Sequence, residues 1–274
     1  MVQVNYTKEK GLQQKSGSGS FSIESGIPLA GHVKDTISAN TVALIDFSGI
    51  KQADGAAGAL EFDLDSKVIH LASVGGTKFY IYFTVTDTGN TGDPVIAGKT
   101  GVQFSKAKAD INSEAKLVDA LVTLINDTGA LNAEFEAVND GNDHLKITAL
   151  RMGNSGTIVT DISDFVGLVD TNNGDAVVNS TVTFTHGEGS HLLSTGGIAQ
   201  ASGALATAGD SFVVIPNLTE NAHYGARKIV HRPANGQTFI LKNSAGATLH
   251  TFDAAGEVAH LVWNGTSWQL LFGS

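Results

Sequence analysis

QTFILKNSAGATLHTFDAAGEVAHLVWNGTSWQLLF (Gln237–Phe272) divides into four short runs, QTFILKN, TLHTFD, EVAHLVW and SWQLLF, set apart by Ser244-Ala245-Gly246 and Asn264-Gly265. Aromatic, aliphatic and Thr side chains fill the runs, and such residues fit a pleated, half-buried surface better than a helix. Gly and Asn at the breaks tolerate the backbone conformations of tight turns. Upstream, TVTFTH, SFVVIPN and RKIVHRP repeat the pattern, with Asn235-Gly236 as a further turn. Seven short strands at regular spacing predict a C-terminal β-sandwich or jelly-roll-like domain over residues 180–274.

Residues 39–179 read as an α+β domain with one amphipathic helix packed on an antiparallel sheet. TVALIDF, ALEFDL, KVIHLAS and KFYIYFTV are strand-like, with turn signals at Asp54-Gly55 and Gly75-Gly76. Leu60, Phe62 and Leu64 alternate with Glu61, Asp63 and Asp65, the period of a strand with one face in a core. In SEAKLVDALVTLINDTG the apolar spacing changes: Leu117, Leu121, Leu124 and Ile125 recur at helical intervals. Ser113 suits the N-cap, Glu114 the first turn and Gly129 the stop. AEFEAVN and HLKITAL then form a hairpin, followed by the strand-like TIVTDI, and DTNNGD marks the boundary to the next domain.

Residues 1–38 differ from both. They hold Lys8, Lys10, Lys15 and Lys34, the Gly/Ser run Ser16–Ser20, and apolar side chains at Phe21, Ile23, Ile27, Leu29 and Val33 without a closed period. This is the pattern of an extended N-terminal arm laid along another surface, or of a frayed tail.

Composition narrows the function classes. The 274 residues are 42% hydrophobic and 16% charged, with 32 glycines and no cysteine, so disulfides, thiolate metal sites and Cys nucleophiles are excluded. The net charge of −10 and three arginines, Arg151, Arg227 and Arg232, argue against nucleic acid as a partner. No apolar run is long enough for a membrane-spanning helix, and the N-terminus lacks the apolar segment of a secretory signal, which points to synthesis and assembly in the cytoplasm.

Signals for chemistry are sparse. HGEGSH (His186–His191) places two imidazoles near Glu188, but five residues apart in a glycine-rich loop rather than one helical turn apart. Glu61, Asp63 and Asp65, the run Asp87, Asn90, Asp93, and the loop Asp140, Asn142, Asp143 offer oxygen ligands for calcium without EF-hand spacing; the favoured reading is a solvated outer strand face for the first set and turns for the two loops. His70, His250 and His260 alternate within strands. Trp263 and Trp268 bracket a turn, where an aromatic pair either stacks on a sugar ring or closes a core. No catalytic, cofactor-binding or metal-binding residue is assigned, and the chain is expected to be non-enzymatic.

Two stretches carry a resemblance. Lys108–Val159 is similar to a module of phage structural proteins, in which a helix gathers a small strand pair that ends in a T-A-x-x-x-G-x-x-G turn, here Thr148–Gly156. Asn235–Leu271 resembles the C-terminal β-domains of phage fibres and head-surface proteins, ending V-W-x-G-T-x-W. The resemblance implies a bacteriophage virion structural protein: a head decoration or cement protein on the outer capsid, or a tail or head fibre recognising host glycan. As a decoration protein it would be a homotrimer bound to the major capsid protein, with Phe21, Ile23, Ile27 and Leu29 in the clamp. As a fibre it would display Trp263 and Trp268.

Overall fold

Alternating apolar and polar residues make strands through most of the chain, and a computed structural model shows how they pair. It describes residues 3–7, 11–16, 33–47, 50, 63–86, 92–154, 156–169, 177–187, 192–193, 195, 197–202, 211–218, 224–234 and 236–273. The first strands are β1 (Gln3–Thr7), β2 (Gly11–Ser16), β3 (Val33–Ser38), β4 (Asn40–Asp46), β5 (Val68–Ala72), β6 (Lys78–Val85) and β7 (Thr100–Lys106). Helices α1 (Glu114–Asp127) and α2 (Gly129–Asn132) follow, then β8 (Phe135–Asn139), β9 (Leu145–Met152), β10 (Val159–Asp161), β11 (Val166–Val169), β12 (Val177–Asn179) and β13 (Thr181–Thr185). The chain continues through β14 (Gly197–Ser202), β15 (Phe212–Ile215), β16 (Arg227–His231), β17 (Phe239–Asn243), β18 (Thr248–Phe252), β19 (Val258–Trp263) and β20 (Trp268–Gly273). The fold is mainly β, with a helix packed on sheets.

Two apolar cores organise these strands. In the first, β13, β4, β9 and β8 lie side by side, and a second sheet runs in the order β10, β5, β6, β7. Phe47, Ile69, Phe83, Phe104, Phe135 and Ile147 meet in this core. Helix α1 turns Leu117, Val118, Leu121 and Ile125 into it, all fully buried. Each such side chain contributes about 1.5–3 kcal/mol relative to exposure, so packing rather than propensity holds the helix. Ser113 caps it by accepting from the Lys116 amide at 3.3 Å, as the sequence predicts. The stop differs from expectation: Thr128 is the C-cap, and Gly129 opens the single turn α2.

The second core lies between the sheet β20-β19-β16-β14-β3 and the strands β15, β17 and β18. Ile37, Val213, Val230, Leu241, Phe252 and Trp263 fill it. This is the expected two-layer arrangement without the expected jelly-roll wiring. From β14 to β17 the chain alternates between the layers, so β14 is parallel to β16 and β15 is parallel to β17. A connection that passes through the opposite sheet returns the chain in its original direction, whereas a hairpin reverses it.

Strands cross both domain boundaries expected from sequence. β3, inside the predicted arm of residues 1–38, pairs in parallel with β14 and buries Ile37 in the second core. β13, inside the predicted 180–274 domain, pairs with β4 along its whole length and belongs to the first body.

Candidate functional site

By sequence the two indoles stand either in a core or on display. Trp263 and Trp268 are 1% and 2% exposed, packed edge to face with ring centroids 5.6 Å apart. Trp268 Nε1 donates to the Pro216 carbonyl at 2.9 Å. The displayed sugar platform is therefore corrected to core, since neither ring offers a face to solvent.

The other sequence candidates disperse. Phe21, Ile23, Ile27 and Leu29 lie outside the described residues, as do Glu61, Asp87, Asn90, Glu188 and His191. His186 is exposed and stacks on Phe184, while the next residue, Gly187, is buried. Asp140 accepts from the amides of Asn142 and His144, so its loop closes on its own backbone. Asp93 accepts from the Val95 amide and the Tyr80 hydroxyl, and Asp65 accepts from the Val85 amide. These carboxylates shape turns and anchor strands. Among the described residues no group of three or more His, Asp or Glu is gathered in the manner of metal ligands. His70 lies 2.8 Å from Lys99 Nζ, and its pKa is lowered by burial and by that cation.

What the fold does assemble is a seam between the two cores. β9 pairs with β4 and β8 along most of its length, then meets β15 at a single register position, Phe212 opposite Arg151. Around that point lies a cavity of about 370 Å³, lined by Glu134, Arg151, Leu192, Phe212, Val214 and Lys242 among others. Burial raises the Glu134 carboxyl above its ordinary range, against the opposing pull of Arg151, Ser73 and Lys242. Lys242 Nζ sits 4.1 Å from the centroid of the Phe212 ring, a cation–π contact. Two cations and one carboxylate over an apolar floor suit the binding of a small acidic or polar group. Sequence did not signal the groove, because its charges come from three separated strands and their loops.

Beside α1 lies a proton-sharing cluster. The Glu114 carboxyl is pushed up to about 7, first by burial, then by a hydrogen bond to Asp46 and that group's charge, with His144 and the Phe47 backbone opposing. His144 Nε2 is 3.9 Å from Asp46 and its Nδ1 3.1 Å from Asp140. A protonated Glu114 donates to Asp46, and this ties the first turn of α1 to the end of β4.

The raised value has a defined sign. Between the ordinary value of 4.5 and about 7, the folded chain holds a proton that the unfolded chain releases, so this group's stabilisation is complete at low pH and lost as pH rises through that window. Solvent screening at this partly exposed site leaves an effect of about 1 kcal/mol. Urea midpoints at pH 5 and pH 8 are expected to fall less in Glu114→Gln, whose amide can donate to Asp46 at either pH, than in the wild type. An unchanged pH slope in the variant would exclude Glu114 as its source.

Comparison with family models, with curated proteins and with solved structures finds no match to this chain.

Proposed function

We propose that the chain is a non-enzymatic phage capsid decoration protein, one that binds the outer head surface and bridges neighbouring major capsid proteins. The supporting observation is the way its N-terminal region is built. β1 and β2 pair with each other and, among the described strands, with no other. Further along, the chain is fixed firmly: β3 is an edge strand of the second sheet, Ile37 is 1% exposed, and Asn40 is bonded at the seam. An arm rooted in the body at residues 33–40 can pass load from a capsid contact into both cores. The two stretches that resemble phage structural proteins are built on local hairpins, the first on β8–β9 beside α1, the second on β17–β18 and β19–β20. The fibre reading loses its aromatic platform, because both indoles are buried.

The test is to add purified protein to capsids stripped of it and count bound copies by electron microscopy. Regular occupancy across the lattice is the expected result, and binding at one vertex alone, or to host cells instead, would overturn it. Deleting residues 1–30 stops short of β3, so the variant is expected to keep the wild-type melting temperature and lose attachment. Full attachment by the truncated chain would remove the arm from the mechanism.

A further inference from the structure

β20 closes one edge of the five-stranded sheet, paired with β19 on one side and with no described strand on the other. Half the backbone groups of such a strand face outward, a ready template for another strand. Edges of this kind are normally guarded by charge or proline, yet Leu270, Leu271 and Phe272 are 40%, 54% and 53% exposed. The one irregularity is a register shift, with Leu261 opposite Leu270 and His260 opposite Phe272, which leaves Leu271 unopposed on β19. Phe272 stacks on His260 with centroids 4.0 Å apart, extending the apolar surface onto the neighbouring strand.

We infer that this edge docks a second copy of the chain, β20 against β20 in antiparallel register about a twofold axis. Charge selects this occupant. The chain carries a net charge of −10, which opposes self-association over most of its surface, but Val258–Gly273 contains no Asp, Glu, Lys or Arg. β19 and β20 themselves bring no like charges to the contact. The apolar triplet is also self-complementary: a pair centred on Leu271 sets Leu270 against Phe272 of the partner subunit and Leu271 against Leu271 of the partner subunit. Such a contact is isologous and stops at two copies, whereas an edge meeting a different surface would propagate. A single strand edge buries less than the roughly 1,200 Å² of a stable interface, so the dimer is weak and reversible. The twofold contact departs from the homotrimer expected of a decoration protein and uses neither the arm nor the seam.

The experiment is sedimentation velocity on the full chain from about 1 µM to about 1 mM, the span in which weak association becomes visible. A reversible shift from the 28.4 kDa monomer to twice that mass is expected, with amide exchange at residues 269–273 slowing as concentration rises. Leu271→Lys and Leu271→Glu are each expected to stay monomeric, and mixing the two should restore dimers, because opposite charges then face each other across the axis. A monomer throughout, a trimer, exchange protection confined to other strands, or no rescue on mixing would each overturn it. Should either variant fail to fold, the exchange pattern of the wild type decides alone.

Discussion

Trp263→Ala is expected to lower stability by about 3 to 5 kcal/mol, the range for removing a large aromatic side chain from a packed core. Trp263 is 1% exposed, lies edge to face on Trp268 and shares a core with Phe252 and Leu261. β19 is a central strand, so its neighbours on both sides limit collapse into the void. Trp263→Phe should cost much less. The Trp263 indole nitrogen is buried with no protein acceptor, and removing an unsatisfied buried donor returns part of what the lost ring volume costs. Urea unfolding followed by near-ultraviolet circular dichroism measures both. A midpoint for Trp263→Ala equal to the wild type would mean that the indole does not pack as described.

The same residues show what sequence can and cannot reveal here. Period-2 alternation identifies TVALIDF, EVAHLVW and the first half of HLKITAL, each with one face in a core, whereas KFYIYFTV, buried on both faces, reads as a strand from its aromatic and β-branched run. Strands β1, β2, β3, β7, β11, β12 and β14 escape it, and two of them show why. TGVQFSK (β7) begins with Thr-Gly and pairs in parallel with β6 after a long connection, so the Ala97-Gly98 turn before it does not mark a hairpin. GIAQAS (β14) is flanked by two parallel neighbours and, among its described side chains, buries only Ala199 and Ala201, residues too small to mark a core face by pattern. Partner choice is less legible still. Nothing in VKDTIS says that it joins a strand some 160 residues away, since pairing is decided by which edges remain free once local hairpins have formed. The seam groove follows from that pairing, and so sequence left it unseen. The indoles were the reverse case, visible at once but ambiguous between core and display until the sheet supplied their neighbours.

A second large effect is expected where the two bodies join, from Asn40→Ala. Asn40 is 3% exposed, and its Nδ2 donates to the carbonyls of Ala149 at 2.8 Å and Leu150 at 3.2 Å, with Ser211 Oγ alongside at 3.3 Å. Ser211 in turn accepts from the Ile240 amide through its own carbonyl, so one side chain links β4, β9 and the approach to β15. Next to it, Thr41 Oγ1 donates to the Gly153 carbonyl and accepts from the Gly187 amide. A Cβ at Gly187 would strike the backbone oxygens of Gly153 and Ala39, so the packing there leaves no room to readjust. Alanine at position 40 strands buried polar groups on both bodies, a loss of about 2 to 3 kcal/mol. Because β9 and β15 share a single register position, little other backbone pairing holds the bodies in step. The cost should therefore appear as lost cooperativity as well as lost stability: one calorimetric transition in the wild type, two in the variant, with the second core melting apart from the first. A single sharp transition in Asn40→Ala, merely shifted, would show that apolar contact across the seam couples the cores without this network.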